Sequence, residues 1–480
     1  MSEEAIREAL TEQLNRTLVP KVSYSEFVQI RGGFGMGLQD HGILGNGIQP
    51  VQTKDKNISL ILDGELYNAE ELKLLFRNEL PHRSMSSPEL CLHLIMRFGS
   101  EIVNQFNGLF VIVIYDHRVP KMTLISDRFG FRPLFYVQRQ KAVIFGSELK
   151  ALCVIDPEPR KIDEIGTLEF FCFGSQLNER TWLQEYRRLT PATILTVDSS
   201  GIRTHRYWVY RYQENGPTLD QCTYFTVFSK LLDRAVERCM RGSHRIGVFL
   251  SGGYDSRSMA ASIRKHHLPI PAFTFGYPES RDIRYASMLA DRLGLDHYPL
   301  TSRDPYLHRT CHAIVWRTEG MSSFANCTSI RYHSLMKEKM DIILLGFLAE
   351  FSGSHTWPRL LLARSRQTVV DLVFDRMLGR GLNTVRRVFK PSYFKRTFED
   401  LRDCFRSSFH SIENNHPLDV ADCWSFTNLQ PRAAYHSPSV DRYLFEARAP
   451  HMDFDLVSFL LTIPPYSRIE QRVYKKMISY

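Results

Sequence analysis

The most informative part of this chain is the run Gly247-Val-Phe-Leu-Ser-Gly-Gly-Tyr-Asp-Ser-Arg257. Its apolar beginning belongs to a predicted buried strand, Ile246 to Leu250, and a helix is predicted to begin near Ser256. Gly252 and Gly253 permit a tight turn between them, because a Cβ there would block close approach or forbid the required backbone angles. Backbone N–H groups in such a turn, aimed together with the positive end of a helix, form a site for phosphate.

The polar residues of the same run suit a nucleotide bound together with magnesium. Ser251 and Ser256 can add hydroxyl donors to the phosphate site. Asp255 would repel phosphate directly, so we expect it to hold a Mg²⁺ ion that bridges the phosphates. An ordinary strand–turn–helix corner, capped by Ser or Asp, is the alternative interpretation. The chain has no G-x-x-x-x-G-K-[ST] sequence, which excludes the common kinase and GTPase loop.

Predicted strands and helices alternate around this loop, which indicates a parallel sheet wrapped by helices. In this half we predict helices over 226–240, 256–265, 283–293 and 306–339, and strands at Ala272 to Phe275 and Asp341 to Leu345. From about Pro358 the chain is predicted to be mostly helical.

The N-terminal half consists of short apolar runs separated by glycines and polar residues, which is typical of a mixed helix and strand domain. We predict strands at 58–62, 109–115, 122–125, 134–137 and 142–145, and helices at 69–76 and 89–98. The polar segment Arg211 to Gln221 is the best linker candidate. We therefore predict a domain over residues 1–208, a linker over 209–222 and a second domain over 223–480.

Composition narrows the classes of function. The chain is 43% hydrophobic, which supports packed cores, and no stretch approaches the ~20 apolar residues that a membrane helix needs. Its nine cysteines include no C-x-x-C pair, which disfavours zinc ribbons and thioredoxin-type sites. The net charge of +9 is spread along the whole chain, so we expect no nucleic-acid partner. We predict a soluble, cytoplasmic protein with no membrane partner.

The complete string Ser-Gly-Gly-x-Asp-Ser after an apolar strand resembles the pyrophosphate loop of the N-type ATP pyrophosphatases, which split ATP into AMP and pyrophosphate. This resemblance is strong for the class and weak for the substrate. It implies a PP-loop domain of the adenine nucleotide α-hydrolase-like type.

Four motifs of the N-terminal half resemble the class II glutamine amidotransferase domain, in that domain's order. They are Asp63-Gly-Glu-Leu-Tyr-Asn68, Gly108-Leu-Phe-Val-Ile-Val-Ile-Tyr-Asp116, Ser126-Asp-Arg-Phe-Gly-Phe-Arg-Pro-Leu-Phe-Tyr136 and Gly146-Ser-Glu-Leu-Lys-Ala-Leu152. Farther along, Phe445-Glu-Ala-Arg-Ala-Pro-His-Met-Asp453 resembles the synthetase motif E-x-R-x-P-F-L-D. Together they resemble the glutamine-hydrolysing asparagine synthetase family. The resemblance implies an α/β fold, with an N-terminal Ntn-type αββα sandwich, a parallel-sheet ATP pyrophosphatase domain and a helical C-terminal part.

Three positions depart from the amidotransferase pattern. Ser2 stands where the family has its nucleophilic cysteine, Asp63 where it has Asn, and Ser87 where it has Asp. An ionised carboxylate cannot donate the hydrogen bond of an amide. We therefore predict that this domain is inactive on glutamine.

The resemblance also implies a set of site residues. Asp255 and Glu350 are expected to act in catalysis by holding Mg²⁺. The phosphates of ATP are expected to be bound by Ser251, Gly252, Gly253 and Ser256, with Asp255 acting on them through Mg²⁺, and the adenine is expected to lie against Phe249, Leu250, Phe275, Leu345 and Gly346. Glu350 belongs to the loop Gly346-Phe-Leu-Ala-Glu-Phe351, for which a strand continuing into the core is the alternative. We expect neither Lys475 nor Lys476 to be the lysine that steadies the family's transition state.

The implied reaction is ATP-dependent amide formation, in which a carboxylate is activated as an acyl-AMP and pyrophosphate is released. The expected partners are a small-molecule or peptide carboxylate and an amine donor, with a homodimer as a possible assembly. Two alternatives stay open. One is intramolecular amide synthesis of the β-lactam synthetase or lasso-peptide cyclase type, and the other is a degenerate nucleotide-binding scaffold without chemistry.

Overall fold

The computed structural model describes residues 3–17, 25–31, 33–82, 84–140, 142–213, 219–242, 244–266, 270–304, 306–347, 358–379 and 381–479. The chain divides into two compact units. The first comprises Met1–Thr167 and Asn178–Val209, and the second comprises Leu168–Leu177 and Tyr210–Tyr480. Within the described ranges, no helix combines the length and apolar character that crossing a membrane requires.

The first unit is built mainly of antiparallel strands. Its strands are β1 (Ser25–Arg31), β2 (Phe34–Asp40), β3 (Val51–Gln52), β4 (Ile58–Leu66), β5 (Gly108–Asp116), β6 (Lys121–Ser126), β7 (Phe135–Arg139), β8 (Ala142–Gly146), β9 (Tyr186–Arg188), β10 (Thr193–Asp198) and β11 (Gly201–Arg206). Its helices are α1 (Glu3–Thr17), α2 (Ala69–Leu75), α3 (Ser87–Phe98) and α4 (Leu149–Ile155), and α5 (Glu164–Phe173) runs from it into the second unit.

These strands form a six-stranded sheet in the order β11-β10-β6-β5-β4-β3, a three-stranded sheet β8-β7-β9 and the pair β1-β2. Side chains alternate across a strand, so β4 sends Leu60 into a core shared with Leu90 and Leu94 of α3. Its neighbour Ile61 enters a second core that includes Tyr136 of the three-stranded sheet. Helices α1 and α4 pack against each other beside the strands of that second layer. The predicted αββα sandwich is confirmed.

The second unit alternates helices with parallel strands and ends in a helical region. Its strands are β12 (Ile246–Phe249), β13 (Pro271–Gly276), β14 (Asp296–Thr301), β15 (Ile342–Leu344) and β16 (Glu446–Arg448). Its helices are α6 (Gln221–Met240), α7 (Tyr254–Lys265), α8 (Arg281–Leu293), α9 (Leu307–Thr318), α10 (His333–Lys339), α11 (Arg366–Leu378), α12 (Leu382–Val388), α13 (Pro391–Ser407), α14 (Pro417–Trp424), α15 (Gln430–Ala433), α16 (Phe454–Leu460), α17 (Pro465–Arg468) and α18 (Arg472–Ser479).

The five strands of this unit make one sheet in the order β14-β13-β12-β15-β16, and every neighbouring pair is parallel. Val248, Phe273 and Leu344 are fully buried, as expected for a parallel sheet covered by helices on both faces. Strand β12 lies in the centre, so the loop that follows it opens at the middle of the sheet's carboxyl edge. The predicted parallel sheet and helical C-terminal part are confirmed.

Four details of the predicted elements are wrong. The helix predicted over 306–339 is interrupted, because Glu319 and Gly320 have φ angles of 55° and 69°, which end α9. Strand β14 was missed because it is half-exposed and polar, and β16 because it has only three residues. Strand β4 does not stop at Leu62 but continues to Leu66, so Gly64 pairs with Phe110 inside the sheet.

Candidate functional site

The predicted phosphate loop, Ser251 to Ser256, leaves the sheet at its central strand. The Leu250 N–H donates to the Phe273 carbonyl at 2.9 Å, and the Thr274 hydroxyl donates to the Leu250 carbonyl at 2.5 Å. These bonds hold the end of β12 against β13, and α7 begins four residues later at Tyr254. Residues 251–256 therefore lie at the carboxyl edge of the parallel sheet, where open α/β sheets bind their ligands.

The two serines of the loop have different environments. The Ser256 hydroxyl is buried and donates to the Ser251 carbonyl at 2.6 Å, while the Ser251 N–H donates to the Ser256 oxygen at 3.2 Å. Ser251 is exposed, and its hydroxyl oxygen accepts from the Gly253 N–H at 3.2 Å. Ser256 thus ties the two ends of the loop together, whereas Ser251 faces solvent and can reach a ligand.

The two glycines also differ. A Cβ built on Gly252 would lie 2.8 Å from the Cβ of Tyr285 on α8, which is closer than carbon atoms approach in proteins. Gly253 has φ −73° and ψ 162°, angles that any residue adopts, and a Cβ there would lie 3.1 Å from the Ser251 hydroxyl oxygen. Glycine is therefore required at 252 by close packing.

Asp255 occupies the first turn of α7 beside the second predicted loop. A Cβ on Gly346 would lie 3.3 Å from the Asp255 Cβ, so the backbone after β15 runs directly against this turn. The hydroxyl of Tyr474 donates to Asp255 Oδ1 at 3.0 Å. Glu350, the other predicted magnesium ligand, lies outside the described residues.

A magnesium site can be tested against these donors. The described ranges hold no group of three or more His, Cys, Asp or Glu side chains placed to bind a metal. Magnesium does not require such a cage, because it commonly uses one or two carboxylates and takes its other ligands from phosphates and water. Asp255 at the phosphate loop fits that mode of binding.

Aromatic side chains line the same edge of the sheet. Phe249 and Phe275, at the ends of β12 and β13, meet edge to face with their ring centroids 5.0 Å apart. Tyr332 stacks on Phe275 at 5.8 Å with an interplanar angle of 22°. Leu250 and Leu345 are buried, and the Leu345 N–H donates to the Arg448 carbonyl at 2.9 Å. Of the residues predicted to contact adenine, Phe249 and Phe275 are therefore half-buried, whereas Leu250 and Leu345 belong to the core.

Arg331 is a residue of this edge that sequence reasoning missed. Its guanidinium lies 4.8 Å from the ring centroid of Tyr306 and 5.5 Å from that of Tyr332. It donates to the Ser302 hydroxyl at 2.6 Å, just beyond the end of β14. Across the described part of the chain, no carboxylate forms an ion pair with it. In the sequence Arg331 stands beside Tyr332, but the continuous helix predicted over 306–339 gave no sign that either residue lies at the sheet edge.

The last helix also lies at the site. Tyr474 on α18 contacts Asp255, so the helix that carries Lys475 and Lys476 reaches the phosphate loop. From the sequence we expected neither lysine to serve the transition state. Lys475 directly follows Tyr474, whose hydroxyl contacts the predicted metal ligand Asp255.

Two families match the chain, one in each half. The family described as "Glutamine amidotransferase domain" matches residues 36–208, and the family described as "Asparagine synthase" matches residues 228–478. The chain belongs to the asparagine synthase family.

Individual relatives agree with this family. The chain is 24% identical over 463 residues to the glutamine-hydrolyzing asparagine synthetase 2 of Bacillus subtilis, an alignment covering 87% of this chain and 59% of the relative. It is 29% identical over 247 residues to synthetase 3 of that bacterium, covering 49% and 39%. Amidase chry2 of Gibberella zeae is 20% identical over 498 residues, covering 88% and 72%. The chain therefore spans less than two thirds of the length of both bacterial synthetases.

In the amidotransferase-like part of this asparagine synthase family member, Asp63 forms an ion pair with the buried guanidinium of Arg132. The next residue, Gly64, has φ +115°, and a Cβ there would lie 2.2 Å from the Leu109 carbonyl oxygen. Asn46 donates to the Gly64 carbonyl at 2.8 Å. Asp63, which departs from the Asn of the resemblance, thus has an oppositely charged partner, Arg132, in the same unit. Ser87 opens α3, and Ser2 lies outside the described residues.

Proposed function

We propose that this chain is an ATP-dependent amide-forming ligase. It would activate a carboxylate as an acyl-AMP and transfer the acyl group to an amine. The observation that carries the proposal is the Ser251 to Ser256 loop, which opens at the carboxyl end of the central parallel strand with Asp255 in the first helical turn. Membership of the asparagine synthase family supports the reaction class.

In this proposal ATP lies along the carboxyl edge of the sheet. Its phosphates accept a hydrogen bond from the exposed Ser251 hydroxyl and lie at the N-terminal end of α7, where the helix dipole favours negative charge. Its adenine packs on the half-buried rings of Phe249 and Phe275. Asp255 and Glu350 would hold Mg²⁺, which would offset the charge that develops on the departing pyrophosphate.

The chemistry then proceeds in two steps. A substrate carboxylate oxygen attacks the α-phosphorus of ATP, the bond to the β-phosphate oxygen breaks, and pyrophosphate leaves. An amine next attacks the acyl carbon, loses a proton, and AMP leaves as the amide forms. Arg331, a half-buried guanidinium without an acidic partner in the described ranges, is the group we assign to an anionic part of the substrate.

The amine is proposed to come from a source other than glutamine. The ion pair between Asp63 and Arg132 occupies a position where the family's glutamine site has an amide. Free ammonia, or an amine of the substrate itself, is then the donor. The second case would make the chain an intramolecular amide synthetase of the β-lactam synthetase or lasso-peptide cyclase type.

The rival proposal is a nucleotide-binding scaffold without chemistry. It is favoured by Phe347, which stands where the family's second loop has an acidic residue and whose ring packs against Tyr435 at a centroid distance of 5.9 Å.

The domain limits 1–208 and 223–480 also stay a proposal. The family matches at 36–208 and 228–478 support them, although residues 168–177 belong to the second compact unit.

Exchange of labelled pyrophosphate into ATP tests the proposal. The full-length protein is incubated with MgATP and a panel of amino acids, dicarboxylates and peptides. We expect exchange with one carboxylate class, loss of exchange in D255N, and full exchange in D282N, a matched change in the first turn of α8. Nucleotide binding without exchange for any carboxylate would favour the scaffold.

A comparison of amine donors then separates the remaining alternatives. Amide formed only with added ammonium would indicate free ammonia. Amide formed without added amine would indicate intramolecular synthesis. Amide formed with glutamine would contradict the proposed loss of glutaminase activity.

A further inference from the structure

Asp255 is supported by side chains that the loop motif does not include. Tyr474 of α18 donates to Asp255 Oδ1 at 3.0 Å. Ser258 donates to the Asp255 backbone carbonyl at 2.9 Å, and its oxygen lies 3.2 Å from His451 Nε2. We refer to Tyr474, Ser258 and His451 as the Asp255 support.

The geometry of the Asp255 support is fixed by packing. Tyr474 and His451 are completely buried, and Ser258 is buried as well. The Tyr474 ring meets Phe228 of α6 edge to face, at a centroid distance of 5.8 Å and an interplanar angle of 88°. A ring held in this way has little freedom to turn, so its hydroxyl oxygen has a defined position beside Asp255.

The protonation of Tyr474 suits a donor. A phenol hydroxyl carries its proton at neutral pH, and an ionised carboxylate only accepts hydrogen bonds. In the contact of 3.0 Å the Tyr474 hydroxyl is therefore the donor and Asp255 Oδ1 the acceptor. The terminal torsion of an aspartate is broad, so the bond from Tyr474 narrows the range of orientations open to the Asp255 carboxylate.

His451 completes the Asp255 support from another segment. A backbone carbonyl only accepts, so Ser258 uses its proton on Asp255, and His451 Nε2 is then the donor to the Ser258 oxygen. His451 Nδ1 has no hydrogen-bond partner within the described ranges. The motif E-x-R-x-P-F-L-D has Phe at the position of His451. The polar contact with Ser258 is therefore one that the residue of the motif could not make.

We propose that Tyr474 is a positioning residue, which fixes the Asp255 carboxylate in the orientation needed to hold magnesium on bound ATP. Ser258 and His451 hold the helical turn that carries Asp255. This inference rests on the proposed function, because it requires that Asp255 be a magnesium ligand. It adds a requirement for the helix α18, which the Ser-Gly-Gly-x-Asp-Ser motif does not contain.

Calorimetric binding of ATP to the full-length protein, over a series of Mg²⁺ concentrations and in EDTA, tests the inference. In Y474F the ring and its packing are kept while the hydroxyl is lost. We expect the Mg²⁺ concentration for half-maximal ATP binding to rise about fivefold, the effect of one ordinary hydrogen bond. Binding in EDTA should not change. Y224F removes the hydroxyl of another buried tyrosine, on α6, and should match the wild type in both conditions.

The outcomes separate the inference from the proposed function. Y474F with wild-type magnesium dependence overturns the inference, and so does Y474F that weakens binding in EDTA equally, since that would show general damage to the loop. S258A provides a second variant and should shift the magnesium dependence in the same direction. If D255N itself leaves the magnesium dependence unchanged, the metal-holding role of Asp255 in the proposed function fails as well.

Discussion

Replacing Gly252 by alanine tests the phosphate loop most directly, because the neighbouring glycine provides a matched control. The new Cβ would lie 2.8 Å from the Tyr285 Cβ and 3.2 Å from its Cδ2. Carbon atoms in contact prefer about 3.5–4.0 Å, so the loop or α8 must move by roughly 1 Å. Overpacking of this kind costs about 1–3 kcal/mol. A Cβ on Gly253 meets only the hydroxyl oxygen of Ser251 at 3.1 Å, which rotation about χ1 relieves.

We therefore expect G252A to lower the free energy of unfolding by about 2 kcal/mol and to weaken ATP binding about tenfold or more, because the displaced N–H groups no longer meet the phosphates. G253A should cost no more than about 1 kcal/mol, the size of a change at a helix N-cap. Urea unfolding and calorimetric ATP titration measure both quantities. Equal behaviour of the two variants would refute the argument from close packing at Gly252.

Three further predictions concern charge. Burial lowers the pKa of His451 from 6.5 to about 4, so the unfolded chain takes up the proton first on acidification. Protonation of His451 therefore does not affect the free energy of unfolding above about pH 6.5, and it lowers that free energy by about 3 kcal/mol as the pH falls to 4. H451F should remove this part of the pH dependence in urea unfolding at pH 7 and pH 4.5, and an unchanged difference would contradict it. D63N removes the carboxylate that is paired with the buried Arg132 guanidinium and should destabilise the chain by about 3 kcal/mol in thermal unfolding. D198N, at the exposed pair with Arg203, should cost less than about 1 kcal/mol in the same thermal unfolding experiment. R331Q should raise the KM for the carboxylate about tenfold with little change in the KM for ATP. R303Q, which changes an exposed arginine paired with Glu279, should alter neither, and equal effects on both constants in R331Q would argue against a role in binding the carboxylate.

The centre of the site could be predicted because its signals are local. An apolar strand, two glycines and a helix are adjacent in sequence, and their physical roles follow from backbone geometry and periodicity. The structure keeps that order and moves the helix start only from Ser256 to Tyr254. The strand β15 was found for the same reason, since Ile342, Ile343 and Leu344 form a short apolar run between polar segments.

The edge of the site could not be predicted, because it depends on contacts between distant segments. Nothing near Arg331 marks it as a neighbour of Ser302, which lies in the loop after a strand that the apolar pattern does not show. Glu319 takes a left-handed conformation that is uncommon for residues other than glycine. Local periodicity therefore extends the helix through the break, and the segment that turns Arg331 toward the sheet edge is read as regular structure.

The same reasoning explains why the sequence could place Asp255 in the loop but could not show which side chains surround it. Its motif specifies where the carboxylate stands on the chain, but a free aspartate torsion does not specify where the oxygens point. The orienting donor, Tyr474, lies 219 residues away, and the contact that braces the turn, from His451 to Ser258, spans 193 residues. A buried hydroxyl that keeps its proton is a directional partner, whereas a lysine or a water at that place would be a mobile one. In our proposal the residues of this loop bind the nucleotide and metal, and side chains of α18 and of the segment after β16 orient the Asp255 carboxylate. A search for functional differences among members of the family should therefore include the positions equivalent to 451 and 474 as well as the loop itself.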